Sequence, residues 1–147
     1  MVDLLNNCSW ELMDTVPLIF QTIRVKMRFG HGANISIPQF RALRYVQSCS
    51  NSSLTNLADF LGLTLPSVSK LVDGLVSQEL MNRQDSATDR RRMILSLTKS
   101  GEEIVNFARK NAQAELKKLL SVLSAEELKI VQDSLELLNP LFGHHRS

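Results

Sequence analysis

Cysteine is nearly missing from this chain: Cys8 and Cys49 are the only two among 147 residues. Two are too few for the disulfide framework of a small secreted scaffold, so reduced, partly buried thiols are expected. Histidine is almost as sparse. His31 sits between two glycines, and His144 and His145 lie near the C-terminus. No Cys-x-x-Cys or His-x-x-x-His spacing occurs, so neither a metal site nor a cofactor is expected. Aromatic residues make up only 5% of the chain. No apolar run approaches the roughly 18 residues that a membrane helix needs. The opening residues, Met1 to Asn7, lack the basic and apolar regions of a signal peptide. A soluble cytoplasmic protein with no membrane partner is therefore expected. Also missing are a glycine-rich phosphate loop, a nucleophile elbow and a clustered acid–base set, so an enzyme is not expected. The charge balance, +2 overall, excludes both a polybasic tail and an acidic disordered chain.

What is present is helical punctuation. Ser36-Ile37-Pro38-Gln39 has the form of a capping box, with proline in the first turn, where its missing N–H is not needed. Ser53 is placed to cap the segment from Leu54, Thr64-Leu65-Pro66-Ser67 repeats the cap-then-proline pattern, and Ser124-Ala125-Glu126-Glu127 is a second capping box. These signals predict helices near 9–29, 37–49, 54–61, 65–80, 99–121 and 125–142. Apolar residues recur three and four apart within them: Val68, Leu71, Val72 and Leu75 in the fourth, and Ile104, Phe107, Ala108, Ala112, Leu116 and Leu120 in the fifth. Between the fourth and fifth helices the rhythm changes. Met93, Leu95 and Leu97 alternate with Ile94 and Ser96 after a polar loop, which predicts a hairpin whose first strand lies near Met81–Arg83.

The charge is sorted along the chain. Residues 1–35 are neutral, residues 36–100 carry eight bases against five acids, and residues 101–147 carry six bases against seven acids. The densest cationic run, Arg90-Arg91-Arg92, falls at the hairpin loop. Directly before it, Leu54–Leu61, the Gly62-Leu63 turn and Thr64–Leu80 form a helix-turn-helix pattern. Ser67, Ser69 and Lys70 fall opposite the apolar stripe near the start of its second helix. Small hydroxyls, a lysine and free helix N–H groups there suit base-edge and phosphate contacts.

The stretches Ser36–Leu43, Leu57–Leu63, Val68–Leu75 and Asp89–Gly101 together resemble the MarR family of winged helix-turn-helix transcription regulators. The most specific element is Asp-x-Arg followed by an alternating strand that ends in Leu-Thr-x-x-Gly. The resemblance runs over essentially the whole chain and implies a mainly α fold with a small β-hairpin wing. It implies one domain over 1–147, with a winged helix-turn-helix lobe at 36–100 and a helical dimerisation lobe from 1–35 and 101–147. It implies a homodimer that binds double-stranded DNA at a pseudo-palindromic operator, more in the manner of a repressor than an activator. Carried over by position, Ser67, Ser69 and Lys70 are expected on the recognition surface, with Thr64 and Leu65 at its start. Ser52, Ser53 and Thr55 match backbone-phosphate positions. Arg91 matches an arginine inserted into the minor groove and Asp89 the acid that holds it, while Arg90 and Arg92 are phosphate contacts, or one of them faces the dimerisation lobe. The family also senses small molecules between its lobes, for which Trp10, Met13, Phe20, Phe40 and Tyr45 are the candidates. One branch senses oxidants through a cysteine near the first helix, where Cys8 lies. The alternative to a DNA-binding regulator is a dimeric winged-helix adaptor that binds protein.

Overall fold

A computed structural model describes residues 1–26, 34–89 and 92–142. Six helices and one hairpin follow in the order α1 (Val2–Lys26), α2 (Ile37–Ser48), α3 (Leu54–Leu61), α4 (Leu65–Ser77), β1 (Met81–Asp85), β2 (Met93–Leu97), α5 (Lys99–Leu120) and α6 (Ala125–Phe142). The fold is mainly helical with a two-stranded antiparallel wing, as the sequence predicts.

Most helix starts fall where the caps place them. The Ser36 hydroxyl accepts from the Gln39 N–H at 3.3 Å while the Gln39 side chain accepts from the Ser36 N–H at 3.0 Å. Ser124 and Glu127 make the same reciprocal pair at 3.2 and 2.8 Å. Hydrogen bonds donated to the carboxyl by the Ser124 backbone N–H, and then by the Ser124 hydroxyl, hold Glu127 below its ordinary value.

Two boundaries depart from expectation. Helix α1 begins at Val2, not near residue 9, and runs on through Pro17. Ser9 lies inside it, its hydroxyl donating back to the Asn6 carbonyl at 2.7 Å, a bond available within a helix. Helix α4 ends at Ser77, three residues short of the expected Leu80. Glu79 takes a left-handed conformation, φ +59°, so that its N–H reaches the Val76 carbonyl and the Leu80 N–H reaches that of Leu75. The same closure ends α3, where Gly62 stands at φ +66°.

The hairpin pairs Met81 with Leu97, Arg83 with Leu95 and Asp85 with Met93, so β1 is two residues longer than expected. Met81 and Leu95 are buried, which gives the hairpin an inner face directed at the helices. The core draws on α2, α3, α4, the hairpin and the first half of α5, around Leu43, Leu57, Val68, Val72, Leu75 and Val105. Neither α1 nor α6 has a buried residue. No helix among the described residues is long and apolar enough to cross a membrane.

Residues 98–101 bolt the hairpin to α5. The Thr98 hydroxyl donates to the Glu79 carbonyl at 2.7 Å, and the Thr98 N–H donates to that of Leu80 at 3.2 Å. Gly101 then lies so close that a β-carbon there would stand 2.0 Å from the Leu80 oxygen. The Leu-Thr-x-x-Gly pattern is thus a joint between α4, the wing and α5.

Candidate nucleic-acid interface

Three elements converge on one surface: the N-terminus of α3, the N-terminus of α4 and the base of the wing. Between them lies a cleft of 540 Å³ lined by Ser53, Leu54, Thr55, Asn56, Leu65, Asp89, Arg92 and Met93. Two helix N-termini and an exposed arginine beside one cleft make a setting suited to an anionic chain.

Each helix start is organised by its own cap. Ser53 accepts from the Asn56 N–H at 3.2 Å and donates to the Asn56 side-chain oxygen at 2.7 Å. Ser53 is itself buried, leaving Thr55 and Asn56 exposed. At α4 the Thr64 hydroxyl accepts from the Ser67 N–H at 3.4 Å and donates to the Ser67 hydroxyl at 2.9 Å. Ser67 and Lys70 are exposed, Ser69 is half-buried and Leu65 is exposed. The wing tip is folded by a residue that sequence reasoning passed over. The hydroxyl of Ser86 accepts from the N–H groups of Thr88 and Asp89, both at 3.3 Å. The Ser86 N–H donates to the Arg92 carbonyl at 2.8 Å, and the Arg92 N–H to that of Asp89 at 2.9 Å. Arg90 and Arg91 lie outside the described residues, as do His31, His144 and His145.

Of the residues expected at phosphates, Ser52 is a correction. It is 1% exposed, and its hydroxyl donates to the Cys49 carbonyl at 2.7 Å. Its own carbonyl accepts from the Leu95 N–H at 2.7 Å, a bridge that ties the α2–α3 turn to β2. Asn56, by contrast, lines the cleft without having been singled out; its place three residues after the Ser53 cap is the signal that was available.

The small-molecule candidates do not converge. Phe40 is buried in the core, while Trp10, Met13 and Phe20 stand exposed on α1. Tyr45 stacks on Phe60 with ring centroids 4.6 Å apart, and the Arg41 guanidinium lies 5.4 Å from the Phe60 centroid. Burial, then the neighbouring Cys49 thiol, push the Tyr45 phenol above its ordinary value, so it stays protonated. Of these five candidates Met13 alone borders the 990 Å³ apolar groove between α1 and α6, with Leu12, Val16, Leu135, Leu138 and Phe142. Cys8 is exposed and Cys49 half-buried.

Comparison with known proteins agrees with this geometry. A MarR family model matches residues 35–93. The HTH-type transcriptional regulator MhqR of Bacillus subtilis is 30% identical over 106 residues, 72% of this chain and 72% of that protein. Matches to two other Bacillus subtilis HTH-type regulators span 66% and 49% of those proteins' own length. The crystal structure of RV1404 from Mycobacterium tuberculosis superposes with a TM-score of 0.74 at 25% identity, covering 98% of this chain and 95% of that one. Streptococcus pneumoniae FabT, solved in complex with DNA, shares the fold with a TM-score of 0.66 at 21% identity over 96% of each chain. The chain belongs to the MarR family, whose members are transcription regulators rather than enzymes.

Proposed function

We propose that this protein is a sequence-specific DNA-binding repressor that acts in the cytoplasm as a homodimer on a pseudo-palindromic operator. Residues 36–100 form the reading lobe, and residues 1–35 and 101–147 form the dimerisation lobe. The observation that carries the reading is the cleft where the starts of α3 and α4 meet Asp89 and Arg92 of the wing. In this reading Ser67, Ser69 and Lys70 face the major groove, Thr55 and Asn56 meet the phosphate backbone, and Arg91 enters the minor groove.

Dimerisation is supported by the terminal helices. Leu4, Leu5, Trp10, Met13 and Phe20 of α1, and Ile130, Leu135, Leu137 and Phe142 of α6, are all exposed. An apolar face of this extent is unusual on a lone soluble chain, and a second copy would cover it. A twofold pair would set its recognition helices about one DNA turn, ~34 Å, apart.

Release by a small molecule or an oxidant completes the proposal. The groove between α1 and α6 is the apolar space at hand, and Cys8 on α1 is the exposed thiol. If a Cys8→Ser protein is still released from DNA by peroxide, Cys8 is not the switch.

The decisive experiment selects duplexes from a random pool and titrates the best of them over a salt series. A DNA reader loses affinity with a log–log slope of about −0.9 per phosphate neutralised. A flat response, or no selected duplex, refutes the proposal and leaves the protein-binding adaptor.

A further inference from the structure

Asp73 poses an electrostatic problem on the reading helix. It follows Ser69 by four residues and Lys70 by three, so it lies on their face of α4, one turn further on. Its side chain is 62% exposed. A bare carboxylate there would repel the polyanion that Ser69 and Lys70 are to read. The wing answers it. Arg83 of β1 brings Nη1 to 2.5 Å from Asp73 Oδ1. Its Nε donates to the Met93 thioether at 2.9 Å.

Arg83 has no role in the core. It opposes Leu95 in the register and follows buried Met81 on the inner face of the hairpin, where an apolar residue would ordinarily continue the pattern. An arginine there is tolerated because its planar fork reaches two partners at once, one on α4 and one on β2. The ion pair is open to water on its Asp73 side, and such pairs add little to folding stability. Its consequence lies in where the charges are. We infer that Arg83 is a positioning residue for DNA reading that masks the Asp73 carboxylate on the recognition face and sets the wing strand against α4. Residues 36–100 have a surplus of only three positive charges, so one uncovered carboxylate at the contact surface would matter.

This inference rests on the DNA-binding reading above, and the two can fail separately. Binding of a selected duplex by fluorescence anisotropy is compared for the wild type, Arg83→Met, Asp73→Asn and the double variant, with melting curves for each. The expected result is a roughly tenfold loss for Arg83→Met, with melting moved by no more than a few degrees. Adding Asp73→Asn to Arg83→Met should recover most of that loss, because the uncovered carboxylate is gone. A purely structural brace would not be rescued, since the double variant lacks both halves of it. Should Arg83→Met not fold, Arg83→Gln carries the same expectation. Unchanged affinity in the arginine variants, or a loss that Asp73→Asn does not rescue, overturns the inference alone. A wild-type protein that binds no duplex overturns it together with the DNA-binding reading.

Discussion

Replacing Gly101 by alanine tests the joint between the wing and α5, because two physical effects of opposite sign compete there. Alanine is the better helix former by roughly 1 kcal/mol, so intrinsic propensity alone makes Gly101→Ala stabilising. The structure says the reverse. The added β-carbon would stand 2.0 Å from the Leu80 carbonyl oxygen and 3.1 Å from its carbon. No side chain can swing aside, since the obstacle is backbone. That backbone is also held: the Thr98 N–H bonds the Leu80 carbonyl at 3.2 Å and the Thr98 hydroxyl bonds the Glu79 carbonyl at 2.7 Å. Relief requires α5 to back away by about 1 Å, at an overpacking cost of 1–3 kcal/mol. Weakening the two Thr98 bonds adds about 1 kcal/mol each.

Set against the propensity gain, the net loss is about 2–4 kcal/mol. For a chain of this size that lowers Tm by about 5–15 °C. The measurement is thermal and urea denaturation of both proteins at one fixed concentration, since dimerisation would link stability to concentration. The urea m-value should stay the same while the midpoint falls. A Gly101→Ala protein that melts with the wild type or above it would refute the argument, because propensity would then outweigh a contact that is not there.

Glu79→Gly should raise stability by about 1 kcal/mol, read from the urea midpoint, because a left-handed glutamate at φ +59° gives way to a residue that adopts that conformation freely. Glu127 has a lowered carboxyl value in the folded state, so its stabilisation is present above the ordinary value of 4.5 and is lost as pH falls through the folded value. The Tm difference between wild type and Glu127→Gln should therefore narrow on acidification below pH 4.5. Leu135→Glu on α6 should shift the protein toward monomer in sedimentation without unfolding the lobe built on α2–α4, as Leu135 is 59% exposed and outside the core. Arg91→Ala should weaken duplex binding strongly while leaving the sedimentation profile unchanged; unaltered affinity would mean that the wing is misplaced on DNA.

Much of the fold was legible because the helices announce themselves with side chains that satisfy their first N–H groups. Ser36, Ser53, Thr64 and Ser124 each bond as their position foretold, and α3 and α6 keep their expected bounds. The misreadings fall where no such side chain marks a bound. Nothing caps α1 near residue 9, and Ser9 lies inside the helix, where its hydroxyl bonds the carbonyl three residues back. Nothing in a glutamate advertises positive φ, so the end of α4 at Ser77 was hidden where the end of α3, with Gly62, was plain. The site divides in the same way. Thr64, Ser67 and Lys70 sit on a helix whose apolar stripe fixes which way they face. Ser52 sits in a polar turn whose direction is set by pairing with Leu95, some forty residues on, and that pairing buries it. Phe40, an expected ligand residue, belongs to the core face of α2, while Trp10 and Phe20 lie on α1, which buries nothing.

The division between buried and exposed apolar residues bears on how such a lightly charged chain could hold DNA. The core needs only residues 35 to 112, so the leucines and aromatics of α1 and α6 are not required to fold the lobe that carries the cleft. In the proposed complex a net +3 over residues 36–100 would give one lobe only a modest overall attraction for DNA. Affinity on the proposed operator then depends on joining two weak lobes at fixed separation, where binding of the first raises the effective concentration of the second. In the proposed dimer the terminal helices would supply that joint by apolar burial, which salt does not screen. Their contribution to DNA affinity would thus exceed that of any single surface charge, without any of their residues being assigned a contact with the nucleic acid. Polar substitution at Leu12 or Leu138, which border the α1–α6 groove, should accordingly cost more duplex affinity than loss of Lys70. It should make binding steeply dependent on protein concentration, a signature that removal of a phosphate contact does not produce.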